Sequence, residues 1–293
     1  MTMTAIAIST LRDRRYHRTP EGRIHTEAAA RAFVDEVGFC FLFGERGIEI
    51  PTLWGAICGA DRPVPRHHDD ADLGRAWNWK DSLPARGEVF YGKLLRAKPT
   101  LVSLALLPTF YALSPNYGDV EDYLQQYDEG LLTIEARNIY QALRDEGPLS
   151  TSRLRQIAGL QGGGPVARRF DNALTELQTQ LKIAKTGISD ANRWGYAYVY
   201  DLFLRAFPDV PEQARLVSTD RAMETLLLQH LHNTVAEREA ALRRLFGWEG
   251  WEMDRTLARL VTAGTIEPDV QVVGERSTLV VATATLRELE ALA

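Results

Sequence analysis

The sequence predicts a mainly helical α+β chain made of three tandem parts, each a group of helices closed by a small β-hairpin. Three observations predict it. Apolar residues recur at helical spacing in three separate blocks, each block ends in two short alternating stretches around a turn, and proline and small polar residues cluster near Pro115–Gly118 and Pro208–Thr219. At 293 residues, 45% apolar and 25% charged, the chain has the composition of packed domains rather than of a disordered segment. Its apolar stretches, such as Leu101–Pro108, fall far short of the roughly 18 residues a membrane span needs, so no membrane partner is expected.

Residues 1–24 carry their basic side chains after a mildly apolar stretch, the reverse of a secretory signal, and read as a basic N-terminal tail. In residues 25–115, HTEAAARAFVDEVG, PTLWGAIC and ADLGRAWNWKDSL have helical patterns, and EVFYGKLLR and TLVSLAL flank a turn at AKP. Between the first two helices, VGFCFLFGERG at 37–47 holds the apolar run FCFLF, read as a short buried strand with an inert thiol at Cys40. Residues 116–210 are the most regular. EARNIYQALRDEG stops at Gly147-Pro148, Ser150 can cap TSRLRQIAG, and Pro165 suits the first turn of a helix over 165–181. That helix places Val166, Phe170, Ala173, Leu174, Leu177 and Leu181 on one face; LKIAKTG and YAYVYDL then alternate around the turn-rich GISDANRWG. In residues 211–293, DRAMETLLLQHLHN, AEREAALRRLFG and EMDRTLARLVTAG read as helices, and TIEPDVQVV and STLVVAT flank GER. Helix, helix, helix and hairpin is the order of a winged helix, so the expectation is three winged helices in tandem.

Charge narrows the partners. A net charge of −5 disfavours indiscriminate polyanion binding. Its distribution is uneven: residues 116–146 hold eight acidic side chains against Arg137 and Arg144, whereas in 151–187 Arg153, Arg155, Arg168, Arg169, Lys182 and Lys185 face only Asp171 and Glu176. Any contact with nucleic acid is therefore expected in the second stretch. Two cysteines, Cys40 and Cys58, fit a reducing cytoplasm better than a disulfide framework.

The best candidate surface is the polar face of the helix over 165–181. Arg168, Asn172, Thr175 and Thr179 follow at spacings of four, three and four, opposite the apolar stripe. Arginine and asparagine read guanine and adenine edges with paired hydrogen bonds, with Arg153, Arg155, Lys182 and Lys185 expected to hold phosphates alongside and Arg169 and Arg193 counted among the DNA-binding residues. The partner is then double-stranded DNA; the competing reading is a solvated helix face on a domain that docks proteins. QGGGP lacks the lysine and hydroxyl of a phosphate-binding loop and reads as a turn. RHHDDAD, with His67, His68, Asp69, Asp70 and Asp72, reads as a hydrated loop whose Asp69 or Asp70 caps a helix; neither metal nor cofactor is expected.

WNWKD at 77–81 is the one candidate for catalysis. Trp77 completes the helix's apolar side, Trp79 cannot share that face, and with Tyr91 they are expected to line an aromatic cleft. A Lys80 desolvated there could act as nucleophile and Asp81 as base, against the plainer reading of an aromatic packing cluster with a surface ion pair. Tyr91, Tyr111, Tyr117, Tyr123 and Tyr127 are candidate stacking platforms.

Three tandem winged helices resemble the AlkZ/YcaQ-like winged-helix DNA glycosylases. LSTSRLRQIAGL, ARRFDNALTEL and YAYVYDL look like that family's middle winged helix, and EVFYGKLLRAKPTLVSLALLP like the hairpin closing its first. The resemblance implies a cationic surface that embraces duplex DNA, a protein active at the cytoplasmic nucleoid, and a Gln-x-Gln or Gln-x-Asp motif on the strand after the first helix. At those places this chain has Cys40 and Leu42, which supply neither carboxamide nor carboxylate. The expectation is a DNA-binding member without glutamine-based catalysis; the alternatives are a glycosylase using Lys80 and Asp81, or a protein-docking scaffold. Oligomeric state is left open.

Overall fold

Where helix-period stripes meet good caps, helices form at the expected places. The computed structural model describes residues 3–67, 69–190, 196–273 and 277–292, the side chains of Met3 and of 290–292 excepted. The chain is rich in helix with small, mostly antiparallel sheets. It divides into two units, one formed by Met1–Trp77 with Thr219–Ala293, the other by Asn78–Ser218.

In the continuous unit, helix Ile134–Glu146 begins at Thr133, whose hydroxyl accepts from the Ala136 N–H at 3.2 Å, and ends at Gly147 with φ 88°. Ser150 caps Thr151–Ile157 by accepting from the Arg153 N–H. Pro165 sits in the first turn of Pro165–Thr179. Strands Ile183–Ser189 and Ala197–Leu202 form an antiparallel hairpin, with Leu149–Ser150 added on the far side of the second strand. Ile139, Leu143, Leu154, Phe170, Ala173 and Leu177, all buried, pack with Ile183 and Leu202 into one core. The helix-period stripe expected from the sequence is thus the core-facing side, with Phe170, Ala173, Leu174 and Leu177 buried and Val166 partly so. Val89–Lys93 and Pro99–Ser103 form a second hairpin in the same unit.

In the discontinuous unit, Thr26 caps Glu27–Val37 and Gly38 (φ 73°) ends it, and the strand Phe39–Phe41 follows, fully buried. The strand Leu279–Ala282 lies between Ala236–Glu237 and Ile266–Val270, covered by Thr219–Thr234, Glu239–Phe246 and Gly250–Thr262. The GER turn expected here lies outside the described residues.

Residues 3–24 depart from the expected tail. Ala5–Arg15 is a helix capped by Thr4, and its Ile8 and Leu11 pack against Val235, Val272, Leu279 and Leu289. Arg12 donates to the backbone carbonyls of Thr234 (2.8 Å) and Ala236 (3.0 Å). Burying two aliphatic side chains contributes about 1.5–3 kcal/mol each. The partners that order this segment are more than 200 residues away, out of reach of any local pattern.

Candidate nucleic-acid interface

The polar face of Pro165–Thr179 is built as its spacing implies. Phe170, Ala173, Leu174 and Leu177 are buried, while Arg168, Arg169 and Asn172 are exposed. Arg169 pairs with Glu135 at 3.3 Å; Arg168 and Asn172, one turn apart, have no side-chain partner among the described residues. Thr175 and Thr179 are half-buried, and their hydroxyls donate back to the Asp171 and Glu176 carbonyls. Thr175 also accepts from Lys93 at 3.0 Å, which brings the Val89–Lys93 hairpin to this helix, and Arg96 at the hairpin's tip is exposed. Lys93 and Arg96 were not among the sequence candidates.

The other basic candidates have different surroundings. Arg153 pairs with Glu146 at 3.3 Å, and Arg155 pairs with Asp171 at 2.9 Å while lying over the Phe170 ring. Lys182 is buried, its ammonium 2.5 Å from the buried Asp122 carboxylate; burial lowers its pKa and Asp122 opposes that. Lys185 is buried too. Neither lysine presents an ammonium at the surface, which corrects the expectation that they stand beside the helix to hold phosphates. Arg193 lies outside the described residues.

Lys185 belongs to a cluster that takes in Lys80 and Asp81. The Lys80 Nζ donates to Asp81 Oδ1 (2.7 Å), Tyr196 Oη (2.7 Å) and Tyr198 Oη (3.1 Å). Lys185 donates to the same Asp81 oxygen, and its ammonium lies 3.9 Å from the Tyr198 ring centroid and 4.8 Å from that of Tyr91. The Tyr196 hydroxyl donates to Asp81 Oδ2 at 2.9 Å. Burial, then the neighbouring Lys80 charge, push the Lys185 ammonium down to about 8, against the pull of Asp81. For Asp81 burial works against the charge, but hydrogen bonds from Lys185 and Lys80 outweigh it and hold the carboxyl below its usual range.

A nucleophile needs an approach path, and Lys80 has 0% exposure. One carboxylate shared by two ammonium groups and a tyrosine hydroxyl is the arrangement of a buried structural network. The alternation in YAYVYDL puts Tyr196, Tyr198 and Tyr200 on one strand face, which is the signal that could have brought them to Lys80 and Lys185. Trp79 and Tyr91 are buried rather than lining an open cleft, whereas Trp77 is 40% exposed beside Phe43, ring centroids 6.2 Å apart. Of the other tyrosines, Tyr111 stacks on Phe203 and Tyr123 packs on Tyr140, both buried; Tyr127 lies under Arg137, and Tyr117 is exposed. Asp70 caps the helix Ala71–Ala85 by accepting from the Asp72 and Leu73 N–H groups, as expected of the RHHDDAD loop, whose His68 lies outside the described residues.

A family model described as AlkZ related matches residues 24–247. The chain belongs to the AlkZ-related family. No curated protein matches it. Among solved structures, Streptomyces sahachiroi DNA glycosylase AlkZ is similar in fold, with a TM-score of 0.61 and 15% identity over 99% of this chain and 73% of that one. In this AlkZ-related chain, Cys40 and Leu42 are buried at 0% and 2% exposure, and burial pushes the Cys40 thiol well above its ordinary range. Neither residue offers a charged or carboxamide group to a substrate.

Proposed function

We propose that this chain is a duplex-DNA-binding protein of three tandem winged helices, residues 25–115, 116–210 and 211–293, acting at the cytoplasmic nucleoid without the glutamine-based catalysis of the glycosylases it resembles. The observation that carries this reading is the pair Arg168 and Asn172. Both are exposed, one turn apart, with no side-chain partner among the described residues, on a helix whose opposite face is core. A guanidinium and a carboxamide so placed can reach base edges when the helix lies in a major groove. Exposed Arg169 and Arg96, and Lys93 beside Thr175, can neutralise phosphates on either side.

Fluorescence anisotropy on a labelled duplex between 50 and 200 mM salt tests the reading. Binding should weaken steeply with salt, and replacing Arg168 and Arg169 together by Ala should weaken it and lower the salt slope by about two. Absent binding at low salt, or an affinity unchanged by the double substitution, rejects it. A second reading, a protein-docking scaffold, is favoured by Tyr117, Leu124, Leu131 and Ile134, exposed within the acidic stretch 116–146; it takes over if duplex binding is absent.

A further inference from the structure

The short helix Asp122–Asp128, in the continuous unit, has a buried side and an exposed side that also carries apolar residues. Its buried side holds Tyr123, Gln126 and Asp122, whose carboxylate meets the Lys182 ammonium. Tyr123 packs on Tyr140 with ring centroids 4.6 Å apart, and the Tyr140 hydroxyl donates to the Val120 carbonyl at 3.1 Å. The Gln126 carboxamide donates to the Pro115 carbonyl at 2.5 Å, and the Tyr117 N–H donates to Asp122 Oδ2 at 3.0 Å. Gly130 (φ 75°) ends the helix, and the Leu131 N–H turns back onto the Gln126 carbonyl at 2.8 Å. The segment is thus tied down at both ends, and its outer side is a preformed surface.

On that outer side Val120, Leu124 and Asp128 follow at spacings of four, with Tyr117 three residues before and Leu131 three residues after. Tyr117, Val120, Leu124 and Leu131 are between 38% and 60% exposed, a row of large apolar side chains that the core does not use. Charge follows the same row. From Tyr117 to Leu131 there are five carboxylates and no lysine, arginine or histidine. Asp122 is taken by Lys182, and Glu121 pairs with Arg144 at 2.8 Å, but Asp119, Asp128 and Glu129 are exposed and make no ion pair among the described residues. These free carboxylates select the occupant. They repel a phosphate backbone, so the row is not a second contact for duplex DNA. A second copy docked across a two-fold axis would set the same carboxylates against one another. A helix with lysine or arginine beside its aliphatic side chains complements both the charge and the apolar row.

We propose that Tyr117, Val120, Leu124 and Leu131 dock a basic amphipathic helix of another protein, with its aliphatic side chains on the row and its ammonium or guanidinium groups on Asp119, Asp128 and Glu129. The inference rests on the protein-docking reading of the acidic stretch, to which it gives a partner. It is compatible with duplex binding through Arg168 and Asn172 and does not depend on it. The apolar row supplies the affinity, and the carboxylates steer the approach and exclude acidic partners.

The full-length protein is titrated against three labelled helical peptides of about 18 residues, read by anisotropy. One has leucines on one face and lysines on the other, one has the same leucines with glutamates, and one has the same lysines with glutamines in place of leucines. The leucine–lysine peptide should bind about tenfold tighter, or more, than either of the others. Replacing Leu124 and Leu131 together by Ser should weaken it by about tenfold or more, with duplex affinity unchanged. Asp128→Lys with Glu129→Lys should weaken it similarly and gain affinity for the leucine–glutamate peptide. Thermal midpoints within a few degrees of wild type show that the variants are folded. Equal binding of the leucine–lysine and leucine–glutamate peptides overturns the basic partner and leaves the docking reading standing, whereas binding of neither removes both. Equal binding of the leucine–lysine and glutamine–lysine peptides, or affinities unchanged in the two variants, also overturns the inference. A wild-type dimer in sedimentation that becomes a monomer on replacing Leu124 and Leu131 assigns the row to a second copy and overturns it as well.

Discussion

Arg168 and Arg169 lie on one helix, and Lys182 and Lys185 follow within twenty residues, yet the four charges have opposite surroundings. The arginines point to solvent; the lysines are 3% and 4% exposed, each beside a carboxylate. The helix ends at Thr179, and the strand Ile183–Ser189 opens with three buried residues in a row, Ile183, Ala184 and Lys185, so both of its faces are covered there. A basic stretch in a sequence is therefore not a basic surface. Two of its six cations are internal, and of the other four Arg153, Arg155 and Arg169 already face Glu146, Asp171 and Glu135.

The largest effect should come from breaking an internal pair. Asp122→Ala removes the partner of Lys182 and an acceptor of the Tyr117 N–H, and should destabilise the protein by about 3–5 kcal/mol in urea unfolding. Replacing both partners, as Lys182→Met with Asp122→Leu, should recover most of that loss, since a matched apolar pair leaves no buried charge unpaired. If the single variant costs no more than a surface pair, the contrast between inner and outer cations fails.

Next in size is the pH response of Lys185. Its folded pKa is depressed to about 8 from 10.5. Between those values the unfolded chain binds more protons than the folded one, so this lysine makes stability rise with pH across that window and adds nothing below it. Lys185→Met should flatten the rise when unfolding midpoints are compared at pH 7.5 and 9.5; an unchanged slope would place the depressed group elsewhere.

The smallest effect should be at Arg153. Its ion pair with Glu146 joins two half-exposed side chains, so Arg153→Ala should change stability by less than about 1 kcal/mol. Its effect on duplex affinity should also be well below that of replacing Arg168 and Arg169 together, as anisotropy at one salt concentration can read.

Much of the local architecture was legible. Thr26, Thr133 and Ser150 cap helices, and Gly38 and Gly147 end them, because each of these signals acts over one turn. The exposed face carrying Arg168 and Asn172 was legible for the same reason. What stayed hidden needed distant partners. Lys185 reads as a surface cation until Asp81, 104 residues earlier, is brought to it. The 1–24 segment reads as a tail until Val272 and Leu279 receive Ile8 and Leu11.

That first helix also orders events during synthesis. Asn78–Ser218 has all its residues made once synthesis has passed Ser218, whereas Ile8 and Leu11 are made before that unit and must wait for Leu279 and Leu289, which follow it. Until then, the apolar side of the helix Ala5–Arg15 is without its native cover, which makes it a natural target for chaperones that hold nascent chains.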